Sequence, residues 1–307
     1  FLMPWYIESI YGLFYLLMVL VAAGGNFIVI WIVVGHKRMR TVTNYFLVNL
    51  AISDALITIF NTMFNFIYMA RSHWPFGSYY CKFTHFIVPC TISSSVFTFI
   101  AIAFDRYFII LHPMKPRLSA RTVLAVIFGI WLASFAIAFP NLIYAQIFPF
   151  RCENDRTVCY LHWDDDDLIN DDTDFRYNMV LFVVTYILPL LILCLTYMRV
   201  AVELWSGQPV GEWTEKLADS MRMKKRVVKM MVAVVCIFGL CWLPQNVFLI
   251  INAKRKQMDR KPHEIHIYLI IYWIAMSNSM YNPIIYCWMN AKFRNGFQRA
   301  LRWLPCV

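Results

Sequence analysis

The chain has 307 residues, of which 60% are hydrophobic and 15% charged, and its mean hydropathy is +0.56. Soluble domains carry about 25% charged residues, so this composition excludes an ordinary soluble globule and points to a membrane protein. The formal charge of +10 does not indicate nucleic-acid binding, because the basic residues are spread over the loops of a membrane bundle.

Apart from Asp54, seven tracts carry no Asp, Glu, Lys or Arg: 9–35, 41–70, 86–104, 122–150, 177–198, 230–253 and 265–291. At about 1.5 Å per residue each is long enough to cross a hydrocarbon layer of roughly 30 Å. The fold expected is an all-α membrane protein, a seven-transmembrane helix bundle. Helices over about 8–34, 43–70, 79–111, 122–143, 176–204, 221–252 and 264–289 form one unit over 1–290. Residues 291–307 read as a short amphipathic helix on the inner surface and the start of a cytoplasmic tail.

Seven crossings put the termini on opposite sides, and short cytoplasmic loops are enriched in Lys and Arg. Lys37, Arg38 and Arg40, then Lys115, Arg117 and Arg121, then Arg222 to Lys229, then Lys292, Arg294, Arg299 and Arg302 fall on one side. That side is expected to be cytoplasmic, with the N-terminus outside the plasma membrane. Lys254, Arg255, Lys256, Arg260 and Lys261, between helices six and seven, run against the rule. The opening on Phe1-Leu2-Met3-Pro4-Trp5 and the lack of any Asn-x-Ser/Thr site read as tails that have been trimmed or are missing here.

Helix one carries Gly24-Gly25-Asn26. The glycines allow close helix approach, and the amide needs a partner in hydrocarbon, either a simple interhelical bond or a polar switch cluster. Helix two buries Asp54, a carboxylate that costs several kcal/mol unless protonated, paired or ion-bound. Asn61 and Asn65 stand four apart and share a face, where they can bond a ligand backbone or each other and water. The Trp74-Pro75-Phe76-Gly77 turn leads to helix three, which carries Cys81, His85 and Val88 and closes on Asp105-Arg106-Tyr107. A cationic amine ligand would want a carboxylate near the depth of Val88, and none is there. Arg106, just past the membrane, can be held by Asp105 until something releases it.

Helix four has Trp131 and Pro140-Asn141, and the loop from about Tyr144 to Phe175 holds nine of the 18 acidic residues, including Asp164 to Asp167. This run is either a solvated face or a field that steers a cationic ligand. Cys90, Cys194, Cys236, Cys241 and Cys287 lie in apolar tracts and read as packing residues. Outside lie Cys81, Cys152 and Cys159; two of them pair, with Cys81 to Cys159 the preferred assignment. Cys306 reads either as a palmitoylation site or as a bare thiol. Interior prolines kink helices five, six and seven at Pro189, Pro244 and Pro283, so the inner half of helix six can pivot below Trp242. Gln245 and Asn246 put two amides at the cavity wall.

Taken in order, Asn26, Asp54, Cys81, Asp105-Arg106-Tyr107, Trp131, Pro189 with Tyr197, Cys241-Trp242-Leu243-Pro244 and Asn282-Pro283-Ile284-Ile285-Tyr286 resemble the marks of a rhodopsin-like G-protein-coupled receptor, over all seven helices. Met39 to Phe46, the Trp74 turn, Lys225 to Met231 and Trp273 to Pro283 are similar to tachykinin receptors, particularly the insect type. The resemblance implies an extracellular amidated peptide agonist. It also implies coupling to a heterotrimeric G protein of the phospholipase C and calcium class (Gq), with arrestin, receptor kinases and membrane lipids as further partners. Implied peptide contacts are Asn61, Asn65, His85, Asn141, Asn178, Gln245, Asn246, Tyr268, Tyr272 and Met276. Implied switch residues are Asp105, Arg106, Tyr107, Tyr197, Phe238, Trp242, Pro244, Asn282, Pro283 and Tyr286. An allosteric sodium ion would sit among Asp54, Ser95, Asn278 and Asn282; no other cofactor is implied.

Gln245-Asn246 stand where vertebrate tachykinin receptors have Phe-His. The alternative ligands are other amidated neuropeptides, such as natalisin or an RFamide or neuropeptide Y-like peptide. An opsin would need a lysine in helix seven, and 265–291 has none. No internal repeat suggests a transporter, and no paired carboxylates, metal-spaced His/Cys set or nucleophile motif suggests an enzyme.

Overall fold

The structure, a computed structural model, describes residues 3–112, 114, 116, 118–150, 156–163, 172–206, 215–254 and 262–302. Seven long helices follow in chain order: α1 Trp5–Gly35, α2 Val42–Arg71, α3 Gly77–Leu111 and α4 Ala120–Tyr144 come first. Then α5 runs from Asp172–Phe182 through Val183–Ile187 into Leu188–Ser206, and α6 Glu215–Lys254 and α7 Pro262–Met289 complete the bundle. A short α8, Ala291–Ala300, lies against α1 and α7.

Local chemistry sets the helix starts. Thr41 Oγ1 accepts from Asn44 N, Ser119 Oγ from Thr122 N and Asn290 Oδ1 from Lys292 N, each satisfying an amide that a helix start leaves open. Ser72 ends α2 in the left-handed region, and Gly77, at φ +78°, turns the chain into α3.

Six of the helices are long and apolar enough to cross a membrane. The seventh, α7, is interrupted by Ser277, Asn278, Ser279 and Asn282, all buried. In the apolar windows of α2 and α3, 67% of residues are buried, against 22% in α4. That contrast makes α2 and α3 the centre of the bundle and α4 a peripheral helix whose Leu132, Phe128 and Phe139 face outward. At the α1–α7 contact the backbones come close, since a Cβ on Gly25 would stand 2.9 Å from the Pro283 ring.

Two helices change pitch. A π-helical turn at Val183–Ile187 immediately precedes Pro189, whose missing N–H cannot bond the Thr185 carbonyl. A second, at Thr58–Thr62 in α2, has no proline. It is braced by Thr58 Oγ1 on the Asp54 carbonyl at 2.6 Å and by Tyr80 Oη from α3 on the Phe60 carbonyl at 2.7 Å.

One expectation is corrected. The segment after helix four, read as a long loop, begins as an antiparallel hairpin of β1 Ala145–Phe150 and β2 Arg156–Leu161, with Ile147 opposite Cys159. Its Val, Ile, Thr and aromatic content suits strands, and Pro149 is tolerated in a two-stranded edge. A disulfide joins Cys81 at the start of α3 to Cys159 on β2, with Cα atoms 5.8 Å apart. Trp74 and Ala145 pack around it as a separate small core. Asp164 to Asp167, Cys152, Cys306 and the basic stretch 255–261 lie outside the described residues.

Candidate functional site

Three layers of polar side chains run through the bundle. Nearest the hairpin, α2 and α7 form a ladder. Asn61 Nδ2 donates to Tyr272 Oη at 2.6 Å, and Asn65 Nδ2 to Tyr268 Oη at 2.9 Å. The equal spacing of four on both helices makes this pairing, and the two tyrosine rings stack with centroids 5.6 Å apart. From α1, Tyr15 stacks on Tyr272 and donates to the Leu269 carbonyl at 2.6 Å.

Other expected ligand residues are arranged differently. Asn178 and Asn246 each bond the carbonyl four residues back on their own helix, Asp174 and Trp242. Gln245 is buried with its Oε1 unpaired among the described residues, and Met276 is buried in the main core. Asn141 reaches from α4 to the His85 carbonyl on α3 at 2.9 Å. His85 also lies beside Cys81 and Cys159, but those sulfurs are joined to each other, so the trio is not a thiolate metal site.

The middle layer surrounds Asp54. Its carboxylate accepts from Asn282 Nδ2 at 2.7 Å and from Ser279 Oγ at 3.3 Å. Ser95 and Asn278 are buried, and Asn278 Oδ1 has no hydrogen-bond partner among the described residues. A buried carboxylate with a spare amide oxygen on the same helix as its partners is a donor set that suits a small hard cation. Asn49 ties this layer together, donating to Thr98 at 2.8 Å and accepting from Trp131 Nε1 at 2.8 Å. Asn26 donates to the Ser279 carbonyl at 2.9 Å, the carbonyl that Pro283 cannot serve. Beside this layer, Phe238 touches the rings of Phe99, Tyr186 and Trp242, and Tyr186 Oη caps the Gly239 carbonyl at 2.7 Å, just before Pro244.

At the opposite end, Arg106 pairs with Asp105 at 3.3 Å, and Thr43 from α2 donates to the same Asp105 oxygen at 3.0 Å. The Asp105 side chain is 4% exposed, so its carboxylate is shielded from water and loss of Arg106 as a partner would leave a buried charge unmatched. Tyr107 turns to Phe108 and His112. Tyr197 and Tyr286, both buried, line a small apolar gap with Leu47, Ile102, Met231 and Val235, and Tyr286 packs on Phe293 of α8 at 5.8 Å.

Sequence reading missed Ser279, Thr43, Tyr15 and Pro89. Ser279 was visible as a hydroxyl three residues before Asn282, and Thr43 as the first-turn threonine of helix two; neither carries a charge to draw attention.

The family described as 7 transmembrane receptor (rhodopsin family) matches residues 25–286. Among curated proteins, the chain is 47% identical over 99% of its length to the tachykinin-like peptides receptor 99D of Drosophila melanogaster, covering 59% of that protein. It is 44% identical over its full length to the neuromedin-K receptor of Rattus norvegicus, covering 66% of it. It is 42% identical over 99% of its length to the substance-P receptor of Aquarana catesbeiana, covering 73%. The chain thus spans about three-fifths to three-quarters of these relatives. The family is one of membrane receptors rather than enzymes, and its helices cross the membrane repeatedly. This chain belongs to the rhodopsin family of seven-transmembrane receptors.

Proposed function

We propose that the chain is the membrane-spanning part of a receptor for an amidated, tachykinin-like neuropeptide, and that it passes agonist binding to a heterotrimeric G protein, chiefly Gq with phospholipase C and calcium. The observation that carries this reading is identity of 42–47% along nearly the whole chain to receptors named for tachykinin-like peptides, neuromedin-K and substance P. On this reading the hairpin end is extracellular and the Arg106 end cytoplasmic, in line with where the basic loops fall. Arrestin and receptor kinases would meet the cytoplasmic end.

The geometry supports a two-state mechanism. Peptide entering from the hairpin end meets the Asn61–Tyr272 and Asn65–Tyr268 ladder, whose hydrogen bonds it can exchange for its own. The aromatic contacts of Phe238 and Trp242 link that level to the Pro244 hinge. When the inner half of α6 swings away, the apolar gap between Tyr197 and Tyr286 opens, and Arg106 leaves Asp105 for partners near them. Moving such an equilibrium from 1:99 to 99:1 needs about 5.5 kcal/mol of differential binding, within reach of a peptide with several buried hydrogen bonds. A sodium ion held by Asp54, Ser95, Asn278 and Asn282 would favour the closed packing.

The test is intracellular calcium in cells expressing the full-length receptor, against peptides ending in Arg-amide, Met-amide and Phe-amide. Responses to tachykinin-like Arg-amide or Met-amide peptides, and none to their free acids, are expected. A response to Phe-amide peptides alone would keep the receptor and remove the tachykinin ligand. Neutralising Asp164 to Asp167 is expected to slow peptide association at low salt if the acidic run steers the ligand.

A further inference from the structure

An α-helix satisfies each carbonyl with the amide four residues later, and a proline breaks that bond because it has no N–H. In α3, Pro89 therefore leaves the His85 carbonyl without its helical donor. That carbonyl is the atom to which Asn141 Nδ2 donates from α4, at 2.9 Å. The side chain of Thr91 covers two neighbouring carbonyls of the same turn, Ile87 at 2.7 Å and Val88 at 3.1 Å. Asn141 is 5% exposed, so water does not stand in for the missing donor.

We infer that Asn141 is a positioning residue that supplies, from the neighbouring helix, the hydrogen bond that Pro89 removes, and so fixes the hairpin-end half of α3 against α4. The same device recurs among the described residues, where Asn26 of α1 serves the Ser279 carbonyl that Pro283 leaves open. Two unrelated helix pairs thus use one asparagine each to permit a proline. The orientation of the Asn141 amide is also settled by this role, since a carbonyl can only accept and must face the NH2 group. Its oxygen is the end left over, buried and without a partner among the described residues. A direct Asn141 contact to a ligand would then run through that oxygen and require a donor on the ligand.

The segment fixed in this way carries Cys81 and His85, one of the bonds between the bundle and the hairpin, and the start of α3. Loosening it would let the disulfide and the hairpin shift together relative to the α2–α7 ladder.

The test is a mutant cycle read by the thermal unfolding midpoint of the full receptor in detergent, which needs no agonist. On the native background, Asn141→Ala and the near-isosteric, apolar Asn141→Leu are each expected to lower the midpoint by roughly 3–6 °C, because a buried carbonyl loses its donor. On a Pro89→Ala background, residue 89 has an N–H again, and the same two substitutions are expected to change the midpoint by less than about 2 °C. Should either Asn141 variant fail to fold with Pro89 present but fold on the Pro89→Ala background, that rescue is the same result in stronger form. Equal losses on both backgrounds would overturn the inference, showing that Asn141 serves something other than the gap left by Pro89.

Discussion

The two ends of the bundle are held by different kinds of force. At the hairpin end a covalent bond, a paired strand ladder and a closed aromatic core converge on α3: Trp74 N and Thr157 Oγ1 exchange bonds with each other's chain at 2.8 and 2.6 Å, and Trp74 stacks edge-on against Tyr68 and Phe76. At the Arg106 end, what stands in their place is an ion pair, a threonine hydroxyl and an apolar gap. The first set resists rearrangement; the second can be exchanged for new partners at modest cost. That asymmetry suits the proposed function, in which ligand enters at the hairpin end and the opposite face rearranges.

The largest expected effect comes from removing the tether. Cys81→Ser frees a loop of 78 residues, for which chain entropy alone gives about 4 kcal/mol. Surface receptor detected by antibody is expected to fall to a small fraction of the wild-type level; near-normal surface level and thermal midpoint would show that the hairpin end is held by packing alone. Asp105→Asn should act on the other end. It removes the charge that holds Arg106, and basal G-protein activation without agonist is expected to rise about tenfold, corresponding to roughly 1.4 kcal/mol. Unchanged basal activity would mean that the ion pair does not set the resting state. The smallest effect belongs to Thr43→Val, which removes one hydrogen bond to Asp105, worth about 1 kcal/mol. A basal rise of at most about fivefold, absent when combined with Asp105→Asn, would place Thr43 in the same lock.

Much of this was legible in the sequence because a bilayer punishes exposed charge. Asp54 and the seven uncharged tracts could be read without any structure, and so could the Asn61 and Asn65 face, since period four on a helix is a geometric fact. The tyrosine partners of that face lie over 200 positions away, and only packing shows that Tyr268 and Tyr272 repeat the same spacing on α7. The π turn of α2 was invisible because no proline announces it; its causes are Tyr80 and two threonine hydroxyls, tertiary and local bonds that no periodicity records. The hairpin was missed because no Asn-Gly or Gly-Gly turn joins its strands. Pro89 sits in a helix that stays continuous because Asn141, more than 50 positions later, fills the gap it leaves.

The polar lining of α7 bears on how the receptor is made. Asn278, Ser279 and Asn282 leave it outside the set of helices that composition alone would commit to lipid. Ser279 and Asn282 donate to Asp54 on α2, and Asn26 on α1 donates to the Ser279 carbonyl, so α7 draws its polar partners from two helices that precede it in the chain. Interhelical hydrogen bonds to α1 and α2 therefore offset the cost of placing these polar groups of α7 in a bilayer, and α7 can make them only once both earlier helices are in place. Membrane integration of this chain is a closing of the ring as well as a series of insertions, and a damaged α1 would be felt first as a failure to retain α7.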